Sequence, residues 1–306
     1  MQYRFIDLFA GIGGIRLGFE SAGCRCVFAS EIDEYACRTY EANFNERPYG
    51  DIALINSQDI PDFDILTAGF PCQAFSIIGK RKGFEDNVRG TLFFEIARIL
   101  NDKRPAAFML ENVKNLTAHD NGRTYKTIVE CLSSLGYFVH ARVLNALDYG
   151  LPQKRERIII VGFKENLIFA FPSPKSEHER KTLSDILEKN PGREYYVKDS
   201  IRTSRLSRLK YKDFPRPYIS HENVSGSITP HSWCAALRAE ASANYILIND
   251  ERRPTEREML RLQGFPDYFK IVVSYSKLKQ QCGNSVAVPV IKAVADEMIR
   301  ALTQRE

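Results

Sequence analysis

Apolar residues in the first half of this chain fall into two alternating spacings. Short, nearly continuous apolar runs suit buried strands, and runs with apolar positions three and four apart suit amphipathic helices. The strand-like runs are Tyr3 to Leu8, Cys26 to Ser30, Phe63 to Ala68, Ala106 to Leu110, Phe138 to Leu144 and Ile158 to Phe163. Helical spacing fills the intervals from about Ile15 to Ala22, Asp33 to Phe44, Thr91 to Leu100 and Thr124 to Leu135. Strand and helix in regular turn predict an α/β fold with an open sheet. After Phe163 the rhythm changes. Residues 164–281 are richer in Ser, Pro and Arg, with a hinge-like Phe171-Pro172-Ser173-Pro174, and predict a second, smaller, irregular domain. Helical spacing then returns with Val290, Ile291, Val294, Ala295 and Met298. The expected division is one domain from 1–170 and 283–306 and another from 171–282.

Composition narrows the class. With 306 residues, 44% hydrophobic and 26% charged, the chain can bury a real core, and no apolar run is long enough to span a bilayer. No signal peptide is expected at the amino terminus, where Met1 to Phe5 enter a strand pattern directly. The seven cysteines are scattered without a Cys-x-x-Cys pair, which predicts reduced thiols in the cytoplasm and no metal site. Net charge is +5. Between Ile201 and Arg216, six basic residues (Arg202, Arg205, Arg208, Lys210, Lys212, Arg216) face only Asp213 and are interleaved with Tyr211 and Phe214. Such a cluster is either a solvated face or a grip on phosphates.

Four places carry candidate chemistry. Gly69-Phe70-Pro71 stops the third strand, because proline holds the preceding residue extended, and so leaves Cys72 beyond a strand tip. A cysteine is most often a small buried hydrophobe, but the loops past strand ends are where an open α/β sheet does its chemistry. Phe9 to Gly14 is a glycine-rich turn between strand and helix, and Glu31 follows 20 residues after Gly11, the spacing at which a carboxylate can hold ribose hydroxyls. The order Gly-x-Gly-Gly is not the dinucleotide fingerprint, so the pair points to an adenosine-containing cofactor more broadly. Glu111 ends the fourth strand and is a third rim carboxyl or sulfur, functional or simply solvated. Arg155 and Arg157 start the last strand, on one face by its period of two. The polar stretch Ile77 to Arg89 reads as a loop long enough to be functional.

Taken in order, these blocks resemble the bacterial DNA cytosine-5 methyltransferases of restriction-modification type. The resemblance spans roughly Arg4 to Phe163 and Arg253 to Ala301. It rests on Asp7 to Gly14, Glu31, Gly50 to Ile52, Gly69 to Ser76, Arg89 to Phe94, Glu111 to Val113, Gln153 to Arg157, Arg253 to Pro266, and Gly283 to Val286. It implies a doubly wound, mostly parallel sheet of the S-adenosylmethionine-dependent methyltransferase type with a target-recognition domain. It also implies the residue roles. The Cys72 thiolate would add to carbon 6 of cytosine and turn carbon 5 into a nucleophile for the sulfonium methyl. Glu111 would hydrogen-bond ring nitrogen 3 and the exocyclic amine, Arg157 the carbonyl oxygen, and Arg155 would help place Cys72 and a nearby phosphate.

S-adenosyl-L-methionine, leaving as S-adenosyl-L-homocysteine, would lie against Phe9, Gly11, Ile12, Gly13 and Gly14. Glu31 would hold its ribose, Asp51 and Ile52 its adenine, with Ile32 where the family often has an aromatic residue. Gly69, Pro71, Leu92 and the returning Asn284-Ser285-Val286 complete the expected cofactor set. Double-stranded DNA would be the macromolecular partner, its target base flipped under the Ile77 to Arg89 lid. Gln73, Ser76, Ile78, Lys80, Arg89, Arg205, Arg208 and Thr229 would contact that DNA, Thr229 through the backbone. A monomer with no membrane association is expected, beside a restriction endonuclease acting separately. Two rivals share parts of this reading: a transfer-RNA cytosine-5 methyltransferase, and a non-catalytic DNA-binding relative, which would be expected to lose Cys72 or Glu111. A nicotinamide dehydrogenase rests on fold analogy alone.

Overall fold

A computed structural model describes residues 2–70, 92–211 and 213–304. The chain divides into two compact units: Met1–Leu144, Glu156–Pro172 and Ile291–Glu306 form the first, and Asn145–Arg155 and Ser173–Val290 the second. The second unit therefore takes more of the chain than residues 171–282, adding the turn before the last strand and the stretch to Val290.

In the first unit β1 (Arg4–Leu8), α1 (Gly14–Ser21), β2 (Arg25–Ser30), α2 (Glu34–Phe44), β3 (Ile65–Gly69), α3 (Leu92–Lys103), β4 (Ala107–Val113), α4 (Arg123–Ser134) and β5 (Phe138–Asn145) alternate as the spacing predicts. β6 (Gln153–Lys154) belongs to the second unit, and β7 (Glu156–Phe163) returns to the first. Among the described residues six strands form one sheet in the order β2-β1-β3-β4-β7-β5. β1 pairs in parallel with β2 and β3, β3 pairs in parallel with β4, and β7 runs antiparallel to β4. Phe5, Ile6, Leu8, Ile65, Leu66, Ala68 and the run Ala107 to Leu110 are all buried. Strands covered on both faces read as continuous apolar runs for this reason. Phe93, Ile96 and Leu100 of α3 and Ile128 and Leu132 of α4 pack into the same core.

The topology itself marks a site. The chain steps from β1 to β2 on one side, then crosses back to place β3 on the other side of β1. A crevice opens beyond the carboxyl ends of strands at such a reversal. Here it is bounded by Phe9 to Gly13 after β1 and by Phe70 after β3.

β4 runs longer than the apolar pattern suggests. Pairing with the antiparallel β7 carries it to Val113, so Glu111 lies inside the strand, beside Gly69 of β3 and Ile159 of β7.

The second unit is more regular than its spacing implies. It holds α5 (Leu183–Ile186), α6 (Asp199–Arg208), an antiparallel sheet β11-β8-β9 built from β8 (Ile219–Glu222), β9 (Ile228–His231) and β11 (Ile246–Ile248), and β10 (Cys234–Ala235) paired in parallel with β6. α7 (Glu256–Leu262) and α8 (Tyr275–Asn284) follow. α9 (Val288–Thr303) begins in this unit and from Ile291 on belongs to the first, where Ile291, Val294, Ala295 and Met298 are buried.

Buried charge is why the hydrophobic spacing looked irregular. Arg205, only 1% exposed, reaches Asp250 at 3.1 Å and Glu222 at 3.0 Å and also donates to the carbonyls of Asn244 and Ser220 and to the Ser220 hydroxyl. Tyr218 and Ser220 donate to Asp250 from the other side. Arg252 and Glu258 form a second buried pair through two hydrogen bonds of 2.8 and 2.7 Å, with Thr255 capping α7. This corrects the DNA-binding expectation for Arg205: a guanidinium enclosed by two carboxylates, a hydroxyl and backbone carbonyls is a strut of the fold. Arg208 is exposed, but it binds Glu222 and the Gly226 carbonyl, so its charge is largely answered within the unit. Among the described residues no helix is long and apolar enough to cross a membrane.

Candidate active site

The crevice of the first unit is built around the Glu31 carboxylate. Oε2 accepts from the Gly11 amide at 2.8 Å, and Oε1 accepts from the amides of Ile32 at 2.9 Å and Asp33 at 2.8 Å. One side chain thereby fastens the glycine turn to the end of β2 and the start of α2. Each carboxylate oxygen offers two lone-pair sites, so one site on Oε2 remains for a hydroxyl donor.

The glycines of the turn divide the work. Gly11 has φ +56°, and a Cβ there would meet nothing within 4 Å, which leaves the crevice side open. Gly13 has φ +82°, and a Cβ there would come within 2.3 Å of the Phe44 ring, so its bareness serves packing against α2. Ile12 is likewise buried, and Gly14 opens α1. Asp33 caps α2 by accepting from Ala36, and Asp51 caps the next short turn by accepting from Ala53 at 3.0 Å. Ile52 points into the core while Ile32 stands 73% exposed beside Glu31. Phe9 packs against the core with φ 56°, and Leu92 begins α3.

On the neighbouring strands two of the predicted site residues, Glu111 and Arg157, meet. Arg157 Nε lies 3.0 Å from Glu111 Oε1, with the two side chains 18% and 10% exposed. A Cβ built on Gly69 would lie 3.7 Å from Glu111 Oε2, so β3 passes close beneath the carboxylate. Asn112 is buried and donates to the Phe70 carbonyl at 2.8 Å, fixing the chain two residues before Cys72. Cys72 itself, with Pro71, Gln73, Ser76, Ile78, Lys80 and Arg89, lies outside the described residues.

Arg155 lies outside β7, which starts only at Glu156, so the period-two argument does not reach it. Arg155 is buried in the second unit, where it donates to the carbonyls of Leu237 and Gly283, each at 3.1 Å, and to that of Ser285. It braces the segment that carries Asn284, Ser285 and Val286, which belong to the same unit. Thr229 lies on β9, partly exposed.

Residues 3–300 match the family described as C-5 cytosine-specific DNA methylase. The chain belongs to that family. This methylase is 56% identical over 294 residues to the Type II methyltransferase M.NgoBI of Neisseria gonorrhoeae, covering 95% of this chain and 92% of that protein. It is 55% identical over 303 residues to the Type II methyltransferase M.HaeII of Haemophilus aegyptius, covering 98% and 94%. Its fold matches the solved structures of Entamoeba histolytica methyltransferase EhMeth and S. pombe Dnmt2 methyltransferase, each with a TM-score of 0.74 at 19% and 21% identity, over 98% or more of both chains. It is a DNA cytosine-5 methyltransferase.

Three supporting residues of the methylase were given no role by the sequence reading. Asp7 is fully buried and accepts from the Thr67 hydroxyl at 3.0 Å. Burial pushes its carboxyl up to about 8, against the opposing pull of the Thr67 hydrogen bond and the Arg16 charge. Arg98 reaches from α3 to the carbonyls of Ile52 and Ile55, both at 3.1 Å, and to the Ser57 hydroxyl at 2.7 Å, holding the turn that presents Asp51. Asn112 stood inside a matched block, and only the fold gives it the Phe70 carbonyl as partner.

Proposed function

We propose that this methyltransferase acts on a cytosine swung out of a specific duplex DNA sequence, through a covalent adduct of Cys72 with carbon 6, with S-adenosylmethionine as methyl donor. The observation that carries the reading is the Glu111–Arg157 pair on adjoining strands, beside the Gly69 that precedes Cys72 by three residues. A carboxyl and a guanidinium side by side match a cytosine edge. Glu111 would take ring nitrogen 3 and the exocyclic amine, and Arg157 the carbonyl oxygen. Thiolate addition drives negative charge onto those same ring atoms, and groups already aimed there lower the barrier without reorganising. Loss of the carbon 5 proton to water and departure of the thiolate would restore aromaticity.

The crevice at β1 and β3 fits the cofactor. Glu31 would hold ribose hydroxyls, the Asp51 turn the adenine, and the open side of Gly11 the methionine portion. When bound, S-adenosylmethionine supplies an electrophilic methyl group. The likeness to the Type II methyltransferases supports action beside a separate restriction endonuclease, and the protein would work as a monomer.

Trapping tests the reading. Duplex containing 5-fluorocytosine cannot release the carbon 5 substituent, so it should leave a covalent complex at Cys72 when S-adenosylmethionine is present, and Cys72→Ala should leave none. An enzyme that methylates ordinary duplex yet forms no such complex would overturn the covalent step.

A further inference from the structure

One group in the second unit answers to no role so far: Asp213, the single acid in the basic stretch from Ile201 to Arg216. It lines a cleft of about 640 Å³ together with Tyr211, Phe214, Thr229 and His231. The segment beyond α6 runs alongside β9, joined to it where the Lys210 amide donates to the Ile228 carbonyl at 3.1 Å. Along β9 burial alternates, with Ile228 and Pro230 buried and Thr229 and His231 partly exposed, and Pro230 also borders the cleft. The His231 ring stacks on Trp233 at 4.0 Å and 17°, with the Lys154 ammonium 5.6 Å from the indole centroid. Burial first, then the Lys154 charge, hold the imidazole below its usual pKa.

Among the described residues Asp213 has no cationic partner, although Arg208 and Arg216 of the same stretch are engaged by Glu222 and Glu251. An exposed carboxylate in a basic neighbourhood opposes phosphate, so contact with the DNA backbone gives no reason for it. A base edge does. In the major groove only the exocyclic amines of cytosine and adenine donate hydrogen bonds, and a carboxylate accepts from them.

We infer that this cleft reads a base edge in the major groove, with Asp213 accepting from the exocyclic amine of a cytosine or adenine in the recognition sequence. Thr229 and His231 line the same cleft and limit how deep the base edge can enter. The inference rests on the reading of this chain as an enzyme acting on duplex DNA.

The test uses the full chain with S-adenosylmethionine and a library of duplexes randomised around the methylated cytosine, read by bisulfite sequencing. For Asp213→Ala and Asp213→Asn, preference for an amine-bearing base at one position should fall on the order of tenfold, the scale of a lost base contact. Thermal melting of both variants should match the parent, since the side chain is exposed. Replacing that base with an analogue lacking the amine should make parent and variants equal. Unchanged preference in a folded, active Asp213→Ala protein overturns the inference and leaves the function standing. A parent protein that methylates no duplex defeats both.

Discussion

Replacing Asp7 with Asn should change how stability depends on pH. Asp7 is fully buried, and desolvation raises its carboxyl from the usual 3.8 to about 8, so it is neutral in the folded protein across most of the working range. In the unfolded chain it ionises near pH 4. Above that pH the unfolded state binds fewer protons than the folded state, so stability falls as pH rises, and the loss ends near pH 8 when the folded carboxyl also ionises. Each pH unit between those limits costs about 1.4 kcal/mol, so the parent should lose roughly 3 kcal/mol between pH 5 and 7 through this one residue. Asn has the shape of the neutral acid and can still accept from the Thr67 hydroxyl, but it does not titrate. Urea unfolding of parent and Asp7→Asn at half-unit steps from pH 5 to 8 measures the effect. The variant should gain on the parent steadily as pH rises. A constant offset between the two curves would show that Asp7 is already ionised in the folded protein, and the burial argument would fail.

Two further substitutions separate struts from surface. Arg205→Ala strands Asp250 without its partner and should cost about 3–5 kcal/mol, whereas Arg208→Ala, at an exposed ion pair, should cost under about 1 kcal/mol; thermal melting compares them, and equal losses would refute the burial assignment. Arg98→Ala releases the carbonyls of Ile52 and Ile55, and calorimetry should find S-adenosylhomocysteine bound on the order of tenfold more weakly; unchanged affinity would remove Arg98 from the support of the Asp51 turn.

Much of the first unit was legible because its strands are buried on both faces and its helices on one. Those burial states leave direct marks in residue spacing, and β1, β2, α2, β5 and β7 fall close to the expected limits. The Glu111 and Glu31 positions were legible as strand ends, and Glu31 keeps that place. Glu111 does not, because the length of β4 depends on its antiparallel neighbour. The second unit was harder to read: its core is organised by Arg205–Asp250 and Arg252–Glu258, and charged residues in a core look like a surface to any hydrophobic count.

By itself the sequence determined the alternation of strand and helix, the order of the motif blocks and the chemical types available: a thiol, a carboxyl, guanidinium groups and a glycine turn with its distant carboxylate. Each of these is a local property of the chain. Only the tertiary structure decided which charges face solvent and which face one another. It joined Glu111 to Arg157, turned Arg155 toward the carbonyls of Leu237 and Gly283, and closed Arg205 within the second unit. The physical reason is that the cost of a charge depends on its surroundings, and residues far apart in sequence supply those surroundings.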